Sequence, residues 1–458
     1  MEVDQQPFVT VGAFHYDSER RAMLFCLGNA EMDEVKSFLA VFQAPIHDFS
    51  LKICPSFFMV EAPSSRIAPL LKYIGAMPNL KVLHIGSLET EELNNEKNSV
   101  EVSALSGALN PNLKQFTLEN LWLRGSLSDM DAFAHRMQTT LLDLESFVLD
   151  KVGAGTAKAP PRSTGTGTGI LDTISTAMVQ MPSLRGACLE VRDKSLGVLL
   201  PSSLQLCFDK GNKWEQLTLG NVGLSTPHLR VLGAANRHKH LRRLDLNCHI
   251  TVEGALAITR MLRTQRTLMK LTLRLTSDGG RSSAIGLPHG RNKASSEVQL
   301  HRNQVLAQGI VASPVLAALE LFNVDLSTKE LREPFSQMLQ DNYSLRVARF
   351  RCEKQGIEPH DLRDQSDFYT RLNKYGRSHL FRCPRCSVCD DAYIAFMGGL
   401  PNRDKDHLST LFYFLRNKPS LFLNVQSDGE SLDAGQRATG KRKRLHRFSK
   451  HRCKSYKV

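Results

Sequence analysis

The sequence predicts an α/β solenoid in which short parallel strands alternate with helices, so that a curved sheet lines the concave side of a horseshoe and the helices lie outside. Two observations support this fold class. A short apolar phrase recurs along the chain, and the apolar spacing between its copies changes from two residues to about 3.6. Because one strand and one helix cannot bury an apolar side alone, such units must stack on their neighbours.

Composition agrees with a large soluble core. The 458 residues are 41% hydrophobic and 23% charged, close to the average for globular proteins. No run reaches the roughly 18 apolar residues of a membrane helix, and the first residues lack the apolar stretch of a secretory signal. The ten cysteines are scattered and are expected to be reduced thiols. We therefore expect an intracellular protein with no membrane segment.

The first 45 residues are expected to form an N-terminal capping region of strands and a helix. The repeated phrase, Leu-x-x-Leu-x-Leu, then extends over residues 46–355. Its copies follow one another at about 27 to 34 residues, apart from two longer steps, near or just above the leucine-rich repeat range of about 20 to 29. Seven copies match well: Leu80/Leu83/Ile85, Leu113/Phe116/Leu118, Leu144/Phe147/Leu149, Trp214/Leu217/Leu219, Leu241/Leu244/Leu246, Leu268/Leu271/Leu273 and Leu316/Leu319/Leu321. Three are weaker: Ile46/Phe49/Leu51, Leu184/Ala187/Leu189 and Leu345/Ala348/Phe350.

The two long steps contain insertions. Residues 153–169 are rich in Gly and Thr and include Pro160 and Pro161, and residues 277–296 are rich in Gly, Ser, Arg and Lys. Neither composition can form a packed core, so both insertions are expected to be surface loops.

Helices are expected between the phrases. Thr226 before Pro227 predicts the start of one helix. Ser327 with Glu330 predicts a capping box at the start of another helix. Apolar residues at helical spacing predict the buried faces. These faces comprise Leu229 and Leu232; Val252, Leu256, Thr259 and Leu262; and Leu331, Phe335, Met338 and Leu339.

The C-terminal part is expected to consist of a helical cap, residues 356–424, and a disordered basic tail, residues 425–458. The chain has a net charge of +13, and its last 22 residues contain ten Lys or Arg and no acid, which leaves +3 for the body. Charge therefore does not by itself make the body a nucleic-acid binder.

The run Lys441, Arg442, Lys443 and Arg444 is typical of a nuclear localisation signal that an acidic import receptor binds. It predicts a nuclear rather than a cytoplasmic location. The tail would equally suit salt-dependent binding of nucleic acid, or serve only to keep the chain soluble.

From about residue 45 to 355 the chain resembles the ribonuclease-inhibitor-like leucine-rich repeat proteins. The segments Phe368–Arg377 and Leu411–Leu421 resemble the closing segments of a large set of mostly uncharacterised diatom leucine-rich repeat proteins. The resemblance implies a repeat fold and an interaction role rather than a reaction. The chain departs from it at Cys383, Cys386 and Cys389, which the resemblance does not lead us to expect.

Binding is expected on the concave face of the sheet. Side chains alternate along a strand, so the residues between the core leucines point away from the core. Arg243 should lie beside Lys270, and Arg274 and Arg349 should lie nearby, which predicts a positive patch that would favour an acidic protein partner. In the alternative interpretation this face is an ordinary solvated surface on which Asp245 and Glu320 balance the cations.

No catalytic motif is visible, so we expect a protein that is not an enzyme and needs no cofactor. Cys383, Cys386 and Cys389 lack a second Cys-x-x-Cys half, so no metal site is predicted, although zinc stays open. The expected function is a non-catalytic interaction scaffold. The alternatives are a nucleic-acid-associated factor acting through the tail and, because some proteins of the resembling subclass supply an arginine to a GTPase, a small-GTPase regulator.

Overall fold

The computed structural model describes residues 14–27, 37, 39, 46–54, 63–88, 99–154, 170–192, 196, 199–209, 213–234, 240–275, 293–351, 360–374, 377 and 416. The chain divides into two compact units, residues 1–378 and 379–458, and all strands and helices given below belong to the first. The basic run 441–444, the cysteines 383, 386 and 389, and segment 411–421 lie outside the described residues.

The first unit alternates strands and helices. The strands are β1 (Phe14–Asp17), β2 (Ala22–Leu27), β3 (Asp48–Ile53), β4 (Val82–Ser87), β5 (Ser99–Glu101), β6 (Gln115–Glu119), β7 (Trp122–Arg124), β8 (Ser146–Ala154), β9 (Gly186–Val191), β10 (Gln216–Gly220), β11 (Arg243–Cys248), β12 (Lys270–Leu275), β13 (Ala318–Phe322) and β14 (Val347–Arg351). The helices are α1 (Pro63–Gly75), α2 (Val102–Gly107), α3 (Leu127–Thr140), α4 (Ile170–Val179), α5 (Pro201–Asp209), α6 (Thr226–Gly233), α7 (Val252–Thr264), α8 (Lys293–Ala312), α9 (Lys329–Asp341) and α10 (His360–Lys374).

The strands form one long open sheet. β1 pairs with β2 in antiparallel orientation, and from β2 the order β3-β4-β6-β8-β9-β10-β11-β12-β13-β14 is parallel throughout. The short strands β5 and β7 pair with each other, and β7 also pairs with β8. The expected fold class, an α/β leucine-rich repeat solenoid, is confirmed.

The repeated phrase sets the register of the sheet. Leu244 lies opposite Leu217 and Leu271, and each of these three side chains is almost completely buried. The same holds along the rest of the sheet, because alternate strand residues point to the core. The buried residues of strands and helices join into one continuous core, as stacked repeats require.

Two helix starts differ from the predictions. The N-cap of α6 is Ser225, not Thr226, and Ser225 Oγ lies 2.8 Å from His228 Nδ1. The N-cap of α9 is Thr328, not Ser327, because Thr328 Oγ1 accepts the backbone N–H of Leu331 at 3.4 Å. In both cases two hydroxyl residues adjoin, and the observed cap lies one residue from the predicted one.

The buried face of α7 also differs from the prediction. Thr259 and Leu262 are buried as expected, but Leu256 is 42% exposed. Gly254 takes part in a close helix contact, since a Cβ there would lie 2.7 Å from Leu229 Cδ1. Small residues on α7 therefore face α6, and the buried face includes Ile258 and Met261 instead of Leu256.

Several boundaries differ from those expected. β8 continues through Gly153 and Ala154, and α8 begins at Lys293, so one end of each range assigned to an insertion belongs to a regular element. β2 adds a parallel strand before the first predicted repeat, with Met23, Phe25 and Leu27 buried. β5 and β7 were not predicted.

Asparagines end three of the strands. Asn120, Asn221 and Asn323 directly follow β6, β10 and β13, with φ of 54°, 58° and 57°. Asparagine tolerates this left-handed conformation better than most residues. The turns fix the position of the last strand residue, which in β13 is Phe322.

The C-terminal end of the first unit is closed by polar contacts. Ser366 of α10 donates a hydrogen bond from its hydroxyl to the backbone oxygen of Ala348 in β14, at 2.7 Å. The fully buried Arg377 donates from Nη2 to the backbone oxygens of Gln340 and Asn342, at 2.9 and 2.7 Å. A cation suits the carbonyl end of α9, where the helix dipole is negative.

In the part of the chain that the structure describes, no helix is both long enough and apolar enough to cross a membrane.

Candidate functional site

We call the open face the side of the sheet formed by the strand residues that alternate with the buried ones. On β11 to β14 this face has three rows, because the register of these strands is unbroken. The rows are Arg243, Lys270, Ala318 and Val347; Asp245, Thr272, Glu320 and Arg349; and Asn247, Arg274, Phe322 and Arg351.

The four residues predicted to bind a partner all lie on this part of the open face. Arg243 is directly opposite Lys270, as predicted, and Arg274 and Arg349 lie within two strands of them. Lys270, Arg274 and Arg349 keep 40%, 42% and 56% of their side-chain surface exposed. The repeat therefore brings together residues more than a hundred positions apart.

Three of the four cations have acidic neighbours. Glu320 Oε2 lies 3.2 Å from Lys270 Nζ, and Glu320 Oε1 lies 3.3 Å from Arg349 Nη1. Asp245 Oδ2 lies 3.7 Å from Arg274 Nη2. The counter-charges of the alternative interpretation are thus present. Arg243 makes no ion pair with any residue that the structure describes.

The region still carries an excess of positive charge. Its open-face residues include five cations, with Arg351, and two acids, which leaves +3. Burial raises the pKa of Asp245 above its ordinary value, although Arg274 opposes the shift. A raised pKa means that Asp245 becomes neutral at a higher pH than an ordinary aspartate, so the positive excess of this region grows as the pH falls.

An aromatic ring lies between two of these arginines. The guanidinium carbon of Arg274 is 5.2 Å from the centre of the Phe322 ring, and that of Arg351 is 5.7 Å from it. Both distances fit cation–π contacts. Phe322 was not among the predicted site residues. Aligning the last copies of the phrase would have placed it on the same row as Arg274 and Arg351.

A second region of the open face is acidic. Glu119, Asp150 and Glu190 occupy equivalent positions on β6, β8 and β9. Burial, together with Asp150 and Glu190, raises the pKa of the neighbouring Cys188 thiol to about 12. The uncharged open-face residues of β10 separate this acidic region from the basic one: Gln216, Thr218 and Gly220.

A third cluster lies near the start of the sheet and was not predicted. Lys52 of β3 reaches over β4 to Glu119 of β6, with Nζ 2.5 Å from Oε2, and His84 Nε2 lies 2.7 Å from the same oxygen. Gly86 makes room, because a Cβ there would lie 3.1 Å from Lys52 Nζ. The missing side chain of one strand thus allows an ion pair between its two neighbours.

Proton affinities in this cluster follow from its contacts. Burial and the charge of Lys52 lower the pKa of His84, although Glu119 opposes this shift. Burial alone would raise the pKa of Glu119, but hydrogen bonding and attraction from Lys52 outweigh it and lower the pKa. At neutral pH the cluster therefore contains a charged Lys–Glu pair and a mostly neutral histidine.

Within the described ranges, no group of three or more His, Cys, Asp or Glu side chains is arranged to hold a metal ion. The cysteine cluster at 383–389 lies outside those ranges.

A scan against protein-family models finds no match, and a search of curated proteins also finds none. Solved structures do show similarity. The leucine-rich repeat-containing protein LegL7 from Legionella pneumophila is 12% identical, with a TM-score of 0.39, and the match covers 75% of this chain and 98% of that one. The tropomodulin C-terminal domain of Caenorhabditis elegans is 15% identical, with a TM-score of 0.23 and coverage of 35% and 84%.

The chain in the TLR13–ssRNA13 complex is 12% identical, with a TM-score of 0.29, and the match covers 72% of this chain and 53% of that one. These identities and TM-scores are too low to transfer a function.

Proposed function

We propose that this protein is a non-catalytic scaffold that binds an acidic protein partner on the concave, open face of its repeat sheet. The supporting observation is the +3 excess on β11 to β14, where Arg243 makes no ion pair with the described residues. Arg243, Lys270, Arg274 and Arg349 are the proposed contacts. The subclass we propose is the ribonuclease-inhibitor-like one, which the sequence from about residue 45 to 355 resembles.

The physical basis is charge complementarity on a preformed surface. A rigid sheet loses little conformational freedom on binding, and a few anchors then dominate the affinity. Lys270 and Arg349 are held in place by Glu320, so they are already oriented before a partner arrives. Complementary charge of this kind mainly speeds association and selects the partner.

The test is affinity capture from native extract with the full chain and with the double variant Arg243→Glu and Lys270→Glu. We expect the wild type to retain a defined protein that the variant loses, and Arg136→Glu on the exposed side of α3 to retain it. Unchanged capture by the double variant would contradict the proposal.

One alternative function rests on a separate observation, the ten cations of residues 437–458. Such a tail could hold nucleic acid through phosphate contacts. Capture should therefore be repeated with a chain ending at Gln436 and after nuclease treatment. A partner that requires the tail and disappears with nuclease would favour the nucleic-acid-associated function.

We also propose that Lys441, Arg442, Lys443 and Arg444 direct nuclear import. The supporting observation is the uninterrupted run of four cations. A fluorescent fusion of the full chain should accumulate in nuclei, and replacing the four residues with alanine should abolish this accumulation. Equal distributions of the two fusions would contradict the import function.

A further inference from the structure

The basic part of the open face contains one aromatic side chain, and its position suggests an anchor. Phe322 is the open-face residue of β13 that lies in register with Arg274 on β12 and Arg351 on β14. Its ring is only partly buried, and both guanidinium groups lie within 6 Å of its centre, at 5.2 and 5.7 Å. Aromatic and arginine side chains are the residues most often found at binding hot spots.

The spacing of this row is fixed by the sheet. Adjacent strands lie about 4.8 Å apart, so Arg274 and Arg351 are separated by two strand spacings, or about 10 Å. An α-helix rises about 1.5 Å per residue, and residues seven apart lie on one face about 10 Å from each other. A residue three or four positions after the first of this pair lies on the same helix face, between the two. A helix lying across the strands therefore matches the row.

We propose that the Arg274–Phe322–Arg351 row binds an amphipathic helix of a protein partner that presents two acidic residues seven positions apart and an apolar residue between them. The apolar side chain packs on Phe322, and each carboxylate meets one of the two arginines. This inference rests on the proposed function and narrows it to one kind of partner segment. In an extended segment, side chains on one face recur at about 7 and 13 Å, which fits the row less well.

The two ends of the row are not equivalent. Arg274 already has Asp245 as a neighbour at 3.7 Å, so part of its charge is balanced. Arg351 makes no ion pair with the described residues, and it borders a cavity of about 260 Å³ between β14 and α10. Arg349 and Arg363 also line this cavity, with Asp367 as the acid. The carboxylate at the Arg351 end is therefore held more strongly.

The experiment uses the full chain and three fluorescent alanine-based peptides of about 16 residues, long enough to form helix. The first has Glu, Leu and Glu at relative positions 0, 3 and 7 of one helical face. The second has both Glu replaced by Lys. The third moves the second Glu by two positions, which keeps the composition but takes that carboxylate off the face. Fluorescence anisotropy measures the dissociation constant of each.

We expect the first peptide to bind at least about tenfold more tightly than the other two, since each well-placed anchor contributes a tenfold change or more. Arg351→Glu and Phe322→Ala should each weaken binding of the first peptide about tenfold, and Arg274→Glu should weaken it less. Arg351→Glu should in turn improve binding of the Lys peptide. Arg136→Glu is the matched control and should change nothing.

Thermal melts of each variant show whether it is folded, and Phe322→Leu keeps an apolar side chain if Phe322→Ala does not fold. Equal binding of the first and third peptides would contradict the proposed seven-residue spacing of the two acids. No binding of the first peptide at about 1 mM would contradict the Arg274–Phe322–Arg351 row as a binding site. If Arg243→Glu and Lys270→Glu abolish binding while the Phe322 and Arg351 variants do not, the proposed function stands and this inference fails. If neither set matters, both fail.

Self-association is a distinct outcome, because Asp150 and Glu190 give a second copy an acidic surface of its own. Sedimentation velocity of the chain alone measures it. A dimer that dissociates in Arg351→Glu would identify a second copy as the occupant and would overturn the assignment to a partner helix.

Discussion

The ion pair between Glu119 and Lys52 depends on Gly86, a residue without a side chain. Lys52 and Glu119 are 67 positions apart and lie on strands that do not touch, and only Gly86 between them leaves room for their contact. Burial alone would raise the pKa of Glu119, but hydrogen bonds and charge attraction from Lys52 and His84 together lower it. A lowered pKa in the folded state means that the charged form of Glu119 stabilises the fold.

The first prediction concerns the pH dependence of this stabilisation. Because the pKa of Glu119 is lower in the folded chain than in the unfolded one, its contribution is present above about pH 4.3 and is lost as the pH falls through the folded value. Glu119→Gln should lower the free energy of unfolding by about 0.5 to 1 kcal/mol at pH 7, because partial exposure leaves solvent screening. Urea unfolding at pH 7 and pH 3 measures the difference, which should be smaller at pH 3.

Glu145→Gln is the matched control. Glu145 pairs with Lys114 at 3.0 Å, but both side chains are about half exposed. Its removal should change stability by less than about 0.5 kcal/mol at either pH. An effect of Glu119→Gln that is the same at both pH values would indicate lost packing instead of a lost charge pair.

The second prediction concerns three thiols. Burial raises the pKa values of Cys188, Cys207 and Cys248 to about 12. The thiolate is the reactive form, so these side chains should resist iodoacetamide at pH 8 in the folded chain and react in urea. Mass spectrometry after timed labelling identifies the modified residues. Rapid labelling of Cys188 without urea would show that the acidic region is open to reagents.

At the residue scale the sequence predicted positions better than contacts. Arg243 beside Lys270 follows directly from aligning two copies of the phrase. The contact between Lys52 and Glu119 does not, because it requires the order of three strands and the knowledge that the middle one lacks a side chain there. Phe322 was overlooked for a different reason: an aromatic residue at an alternate strand position gives no charge signal.

Among the elements, α9 shows how a cap is chosen between adjacent hydroxyl residues. Thr328 Oγ1 accepts the Leu331 N–H, which is otherwise without a helical partner. The third prediction is that Thr328→Ala lowers the free energy of unfolding by about 1 kcal/mol, the usual cost of losing a cap. Urea unfolding measures it.

Ser327→Ala is the comparison, since Ser327 precedes the cap. It should cost clearly less than Thr328→Ala. A larger loss of stability in Ser327→Ala than in Thr328→Ala would favour the predicted capping box of Ser327 and Glu330. It would contradict Thr328 as the N-cap of α9.

Helix faces were predicted less accurately than strands for a physical reason. A strand has only two faces, so one leucine fixes its orientation. A helix can rotate in smaller steps, and close packing between α6 and α7 at Gly254 turns Leu256 outwards. The small residues of α7 determine which of its sides is buried, and a search for large apolar side chains overlooks them.

For the whole molecule, the repeat made the architecture predictable, because every copy of the phrase specifies the same neighbour relation. What the repeat cannot specify is where it stops. The antiparallel strand β1 and the additional parallel strand β2 precede the first recognised copy, and no leucine phrase marks them. The contacts at the two ends of the sheet therefore depend on particular residues and not on the repeated phrase.

The fourth prediction concerns the β14 end. α10 buries Leu362 and Leu372 and holds the backbone of β14 through Ser366. A chain ending at Gln355 lacks this helix, so its last strand is uncovered and should associate with other copies. Size-exclusion chromatography with light scattering should show aggregates for that chain.

A chain ending at Ser378 is the matched control, since it keeps α10 and the buried Arg377. It should elute as a single species with an unfolding midpoint close to that of the first unit in the full chain. Monodisperse behaviour of both truncated chains would contradict a protective function of α10.

The unbroken register of β9 to β14 also determines how far apart the two charged regions of the open face lie. Each strand advances the face by about 4.8 Å, so the uncharged strand β10 is a spacer of one unit between β9, which carries Glu190, and β11, which carries Arg243. Duplicating or deleting one such unit would move the regions by that increment and leave the contacts within each unchanged. The number of repeats between the two regions therefore sets the distance between them. Gain or loss of a repeat during evolution would change the length of partner that can contact both regions in steps of one strand.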